Sequence, residues 1–417
     1  MKVLTRWLSA RSAVRADDTA PALPLDLSAQ YLADDPHRMY RWLRKNMPVA
    51  PVAGGGYLLT RHADVMAAFT DDRLGNAPSR FSVLHPRRGD RHLAAAMAAR
   101  MPPFLDMPAH RVPRQALVRA FHNRFATAPA VLDRIAAEVM ASLPRNTPFD
   151  LIREAAQPFV CRSIAHFVGL NCSGGQVKHA TQAFFQLFAP ITDPAAFAAG
   201  QSVLAEMRRL LAEALAQRRT QPCPDLLSQL LAFQTSVPDL TDDHIIDGAF
   251  LILADGVENI EAGIAIALKQ ILGHPETAKA LITGHLSSDL AVAEALRLNS
   301  PAQIVARVAR SAFTLHGTQI AADLPVFLCL GSAARDPVVF TDADSFAPGR
   351  DASAGLVFGL GRHRCIGEKL ALAQIATLVR ALLRAGATTT PEALRHHPRF
   401  GHRWPVAMQI TLTQRAE

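Results

Sequence analysis

The stretch Phe358-Gly359-Leu360-Gly361-Arg362-His363-Arg364-Cys365-Ile366-Gly367 decides how the rest of the chain is read. Its glycines permit tight turns and a close approach to a flat cofactor. From Glu368 onward, apolar residues recur at helical spacing through Lys369 to Ala385, so Cys365 lies at the mouth of a helix. Helix-terminal N–H groups, with Arg362 and Arg364 beside them, are expected to favour a thiolate at Cys365. A thiolate is a strong electron donor to iron, and its push favours cleavage of an O–O bond. The competing reading of a lone cysteine is a structural one.

The other cysteines are Cys161, Cys172, Cys223 and Cys329. The total is odd and no CxxC pair occurs, which argues against a disulfide framework or a zinc site and fits a reducing compartment. The chain has 417 residues, and 49% of them are hydrophobic, enough to bury a large core. Helical spacing recurs at Val203 to Arg219, Ala262 to Leu272, Leu286 to Leu298 and Lys369 to Ala385. Short strand signals fall at Gly56 to Thr60, Phe313 to Ile320, Val326 to Gly331 and Val406 to Leu412. With no repeat and no low-complexity linker, the fold class read here is mainly α with small β-sheets. One domain is expected over 26–417, after a flexible, Arg-rich tail at 1–25.

Lys and Arg exceed Asp and Glu by 44 to 36, a formal net charge of +8. The excess is diffuse, with no basic stripe interleaved with aromatics, so nucleic acid is not an expected partner. The most apolar stretch, Gly248 to Val257, is too short to span a bilayer and contains Asp255. No membrane span and a cytoplasmic location are expected.

Phe358, Gly359, Gly361, His363, Cys365 and Gly367 together resemble the cysteine-loop signature of the cytochrome P450 superfamily. The resemblance extends from about Asp35 to Leu412, with its landmarks in order. Glu294 and Arg297 stand three residues apart on a helix, where such side chains can pair, and are similar to the family's ExxR element. The resemblance implies that they lock to an arginine near Arg350 in a structural role. His110 and Arg114 match the HxxxR element, although Pro113 between them is comfortable only near a helix start. By the same resemblance His110, Arg114, Arg307 and His363 reach the haem propionates, where cation and carboxylate make charge-assisted bonds. The implied cofactor is haem b (iron protoporphyrin IX), with Cys365 as the axial ligand of its iron.

The long distal helix of the family falls at Phe250 to Ile260. Most relatives read small-Gly-x-acid-Thr there, whereas this chain reads Asp255-Gly256-Val257-Glu258-Asn259. Gly256 can loosen the helix for dioxygen or water, and Glu258 can relay protons. The usual hydroxyl is absent, because an asparagine amide stands at 259. An amide can hold a water but is a poor proton relay. Asn259 therefore leaves open ordinary monooxygenation around an ordered water, a relay completed by a substrate hydroxyl, and a contact to substrate with proton flow elsewhere. It also leaves open a haem-thiolate isomerase, lyase or group-transfer enzyme. A non-catalytic haem sensor is a more distant alternative. Asp255 occupies a position where a small residue is usual, and can face substrate, neighbouring helices or solvent.

Pocket residues are expected from the loop Arg80 to Phe104, the helices around Phe184, Phe185 and Phe188, the segment Ala302 to Val305 and the turn Phe400 to Trp404, although the three phenylalanines are also at core spacing. The activity implied is insertion of one oxygen atom from O2 into a small organic substrate, in secondary metabolism. Electrons would come from a separate ferredoxin or flavodoxin. Arg362, Arg364 and Lys369 would form the basic surface for that partner.

Overall fold

The computed structural model describes residues 20–27, 35–80, 82–89, 91–188, 194–351, 354–390, 392 and 394–413. Its axis is a central helix, Asp242–Leu272. Thr241 starts it by accepting a hydrogen bond from the His244 N–H, with Asp242 and Asp243 in the first turn to complement the helix dipole. Its 31 residues make it about 46 Å long at the usual rise per residue. From Ile245 to Ile271 buried side chains lie on every side, the pattern of a helix at the centre of a core rather than on its surface.

Helices Gln157–Val168, Gly174–Leu187, Pro194–Thr220, Ser288–Leu298 and Glu368–Arg384 pack around this axis. The last carries the cysteine loop at its N-terminus and comes closest where Gly263 faces it. A Cβ at Gly263 would stand 2.5 Å from Ile375 Cδ1, so any side chain there would push the two helices apart.

A five-stranded sheet flanks the helices, in the spatial order Val49–Pro51, Tyr57–Leu59, Pro325–Cys329, Ile304–Ala309 and Leu74–Gly75. Tyr57–Leu59 and Pro325–Cys329 are parallel, and the other pairings are antiparallel. Phe313–Leu315 and Thr318–Ile320 form a hairpin. Gln409–Leu412 pairs with both Phe149–Asp150 and Ala387–Thr389. The strand and helix signals of the sequence thus lie on real elements, although Val203 to Arg219 and Ala262 to Leu272 are only the later parts of the helices Pro194–Thr220 and Asp242–Leu272.

The tail boundary needs a correction. Residues 1–19 lie outside the described residues, but Leu25 is fully buried. Its N–H donates to the Pro51 carbonyl at 2.8 Å, and its carbonyl accepts from Ala53 N–H at 2.7 Å. The packed chain therefore begins before residue 26, because an apolar residue sits where a flexible tail was expected to continue. Among the described residues, no helix is long and apolar enough to cross a membrane.

Candidate functional site

The cysteine loop is shaped by left-handed backbone at Gly359 (φ 70°) and Gly361 (φ 71°), a region that side-chain-bearing residues rarely adopt. These turns bring Cys365 N–H back to the Phe358 carbonyl at 2.8 Å. Gly367 caps the helix Glu368–Arg384, and its N–H hydrogen-bonds the Cys365 sulfur.

The sulfur is accessible, yet desolvation dominates its titration and raises the thiol to about 12. Asp255 on the central helix is likewise accessible, and desolvation alone raises its carboxyl to about 6. Each is an accessible group enclosed by protein, and the Asp255 charge is felt at Cys365. The two side chains therefore face one interior chamber, between the cysteine loop and the central helix.

The expected source of thiolate character is not what the structure holds. Arg362 is paired with Asp72 at 2.9 Å, and Arg364 with Glu368 at 2.7 Å. Arg114, half-buried, is the cation that most directly favours the anion, and its guanidinium donates to the Arg364 carbonyl. That bond places Arg114 on the loop backbone next to Cys365. Burial and the Asp255 charge act against it, and an iron bound at the sulfur would favour the thiolate.

At the chamber edge lies a cluster of cationic side chains. His110 immediately precedes helix Arg111–Phe125, and Pro113 sits in the first turn, where a missing N–H leaves no bond unmade. The His110 and His363 rings stand 4.3 Å apart. The His110 Nε2 is buried with no partner. Arg307, buried on strand Ile304–Ala309, donates to the Ala306 carbonyl at 2.8 Å and packs on Phe69. Desolvation, with Arg114 and Arg362, pushes His110 down to about 4; desolvation, with His110 and Arg307, pushes His363 to about 3; and desolvation brings Arg307 down to about 10. The nearest carboxylate, Asp106, is committed to Arg310 at 2.8 Å and to the N–H groups of Asn76 and Ala77. Arg307 and His363 open onto a cleft that Phe69, Thr70 and Arg310 also line. A desolvated arginine beside two histidines that an anion would help to protonate, one with an orphaned ring nitrogen, fits an anionic ligand, and the two carboxylates of haem suit this cluster.

On the opposite wall, Asn259 Oδ1 accepts from Trp404 Nε1 at 3.0 Å, and its amide nitrogen lies 3.5 Å from Asp255 Oδ1. Glu258 is held between Lys178 at 3.4 Å and Arg399 at 3.3 Å. Lys178 also pairs with Glu261, and Arg399 lies over the Trp404 ring. The helix continues unbroken through Gly256, whose face approaches Ile164. Lys178 and Arg399 went unnoticed in the sequence. They lie far from Glu258 along the chain and carry no local motif, so only the fold brings them together.

Of the expected pocket residues, Phe184 is buried against Phe250 and Phe188 in the core. Phe185 is half-buried, edge-on to Trp404 at 4.7 Å, and Phe188 stacks on Phe104 at 5.1 Å. Val305 is half-buried on the strand that carries Arg307. Phe81 and Asp90, in another expected pocket stretch, lie outside the described residues.

Beneath the site, Glu294 receives Arg297 at 2.7 and 2.9 Å and Arg350 at 3.1 Å. Arg297 also donates to the carbonyls of Ala334, Ala343 and Ser345. This network ties helix Ser288–Leu298 to the long connection that leads into the cysteine loop.

An enclosed chamber with a cysteine on one wall, an acid and an amide on the other and desolvated cations at its edge defines a protein built around a flat, anionic, thiol-ligated cofactor. Known proteins agree. The family model described as Cytochrome P450 matches residues 288–398. A vitamin D(3) 25-hydroxylase of Pseudonocardia autotrophica is 31% identical over 352 residues, 83% of this chain and 85% of that protein. The putative cytochrome P450 123 of Mycobacterium tuberculosis is 29% identical over 89% of this chain and 91% of its own. Among solved structures, CalO2 aligns with a TM-score of 0.85 at 24% identity, covering 93% of this chain and 98% of that one. The tirandamycin C-bound monooxygenase TamI gives 0.81 at 25% identity, covering 94% and 100%. This chain belongs to the cytochrome P450 family, oxidoreductases of the monooxygenase type that bind haem b through a cysteine thiolate.

Proposed function

We propose that Cys365 is the axial ligand of haem b and that the enzyme inserts one oxygen atom from O2 into a small organic substrate, by hydroxylation or epoxidation. The observation that carries this reading is the cluster of His110, Arg307 and His363, with the orphaned His110 Nε2, beside the loop that holds Cys365. When bound, haem supplies the iron at which dioxygen is activated.

The chain's own residues do the rest. His110, His363 and Arg307 hold the two propionates, and Arg114 braces the cysteine loop from beside them. Phe358, Gly359 and Gly367 shape that loop so that a flat ring can approach the sulfur. Glu258, gripped by Lys178 and Arg399, is the acid that relays protons on the distal side. Asn259 cannot pass a proton as a hydroxyl does, because its carbonyl is occupied by the Trp404 N–H. Its amide N–H groups instead hold a water in place on the distal side.

Electrons come from a separate ferredoxin or flavodoxin at the face outside the cysteine loop. Arg362 and Arg364 are each neutralised by a carboxylate, while Lys369 is exposed with no carboxylate partner among the described residues. The basic docking surface is therefore sparser than three unpaired cations would make it. The enzyme acts in the cytoplasm on a small secondary metabolite, a reading supported by the tirandamycin C bound to TamI and by the hydroxylase relative.

Two measurements test this. The reduced protein with carbon monoxide is expected to show a strongly red-shifted Soret band that Cys365→Ser abolishes; an unchanged band in the variant refutes the ligand. Turnover under isotopically labelled dioxygen is expected to place label in the product. The occupied carbonyl of Asn259 favours a second reading, a haem-thiolate isomerase, lyase or group-transfer enzyme, and product without label would establish it in place of the first.

A further inference from the structure

The central helix carries six acidic residues between Asp242 and Glu261. Asp242 pairs with Arg219, and Asp243 with Arg208. Asp247, fully buried, is clamped by Arg100 and Arg208, at 2.5 and 2.6 Å. Glu258 has Lys178 and Arg399, and Glu261 has Lys178. Asp255 alone has no cationic partner among the described residues. Its one polar neighbour is the Asn259 amide nitrogen at 3.5 Å, at the outer limit of a hydrogen bond.

Position makes this difference informative. Asp255 is flanked by the buried Ala254 and Val257, and its carboxylate opens onto the chamber that Cys365 faces rather than onto bulk water. A desolvated carboxylate is costly unless a counter-charge or donors meet it. Elsewhere on this helix the chain solves that problem with arginine or lysine. Asn259 cannot substitute for them. It is turned by the Trp404 N–H so that its own N–H faces Asp255, but it brings no charge.

We propose that Asp255 is a specificity-determining residue that anchors a cationic nitrogen, a protonated or quaternary ammonium group, on the substrate. The substrate completes on Asp255 the ion pairing that arginine and lysine complete on the other five acids. Asn259 then positions the carboxylate, which accounts for an amide one helical turn away. This inference rests on the haem-thiolate reading above.

The test uses the haem-loaded enzyme. Its carbon monoxide band is recorded first, so that failure of the haem-thiolate reading is seen separately. The enzyme is then titrated with benzyltrimethylammonium and with neopentylbenzene, its neutral isostere in which carbon replaces nitrogen. The quaternary nitrogen has no lone pair and cannot ligate iron, so binding reports on the chamber. The shift of the Soret band and calorimetry both read affinity. The ammonium is expected to bind at least about tenfold tighter, as charge pairs withdrawn from water do. In Asp255→Asn the preference is expected to fall to near unity. Equal affinities in the unaltered enzyme, no detectable binding of the ammonium, or a preference that survives in Asp255→Asn would each overturn the proposal. The first two outcomes need no variant and so do not depend on its folding.

Discussion

Two charged clusters stand at either end of the cysteine loop's support, and they are opposites. Around Glu294, the acid and Arg297 are buried together with Arg350 half-buried beside them, and their donors and acceptors meet inside the protein. Burial opposes the Glu294 charge, but its hydrogen bonds to Arg297, Ala347 and Arg350 win and hold its carboxyl below the ordinary value. Around Arg307, desolvation and neighbouring positive charge hold the His110 and His363 rings uncharged, and one ring nitrogen has no partner. The first cluster is complete as protein and serves the fold. The second is incomplete as protein and is stabilised by what it binds.

The largest break in this comparison comes from Glu294→Gln. It leaves the Arg297 guanidinium buried without a counter-charge, and the half-buried Arg350 without its carboxylate, which costs roughly 3–5 kcal/mol. Denaturant unfolding is expected to show that loss, with little haem-loaded protein accumulating. A loss under about 1 kcal/mol would mean that water replaces the carboxylate and that the cluster is not the closed unit described.

Arg307→Gln is expected to do the reverse. The haem-free protein keeps its stability or gains slightly, because a desolvated cation is removed. Haem affinity falls by about 10- to 100-fold, the worth of a hydrogen bond to a charged group, as read by haem transfer to a competing apoprotein. Loss of stability without loss of haem affinity would place Arg307 in the scaffold instead.

The same cluster has a pH signature. The His110 pKa is held below its ordinary value by desolvation and by Arg114 and Arg362. The unfolded chain takes up its proton near 6.5, whereas the folded chain does so only near 4. Its contribution to stability is therefore complete above 6.5 and lost as pH falls toward 4. Unfolding of the haem-free protein is expected to weaken over that window, and less so in His110→Asn. Bound propionates, by favouring protonated His110, should flatten the same slope.

How much of this was legible in the sequence follows from how local each feature is. The cysteine loop, the ExxR pair and the HxxxR pair are short strings, and the structure brings their members together as their spacing implies. The central helix was visible only as the segment around Phe250 to Ile260 and Ala262 to Leu272, because Asp247, Asp255 and Glu258 interrupt its apolar pattern. Those acids are tolerated by partners that no local pattern announces, such as Arg100, Arg208, Lys178 and Arg399. The surroundings of Cys365 show the same limit. Arg362 and Arg364 are adjacent in sequence, but their charges are spent on Asp72 and Glu368. Leu25 was placed in a flexible tail because its contacts, at Pro51 and Ala53, lie in a strand region that a single apolar residue cannot predict.

The smallest expected effect sharpens the comparison at the distal wall, where a third arrangement occurs, neither closed nor waiting. Asn259 is tied to Trp404 through one hydrogen bond at 3.0 Å, and such a bond is worth about 1 kcal/mol net. Asn259→Thr removes the acceptor that faces the indole and supplies a hydroxyl that can both donate and accept. Stability is expected to drop by about 1 kcal/mol, less than for Glu294→Gln, because the half-buried site lets water reach the Trp404 N–H. Coupling of electron consumption to product is expected to rise if Asn259 serves only to hold a water, since the hydroxyl adds a proton path. Loss of product with coupling unchanged would show that the amide itself holds substrate or the Asp255 carboxylate. Trp404→Phe separates the two cases. It frees the Asn259 carbonyl while leaving its amide N–H in place, so a water-holding Asn259 predicts altered coupling, and a carboxylate-positioning Asn259 predicts weakened binding of the ammonium probe.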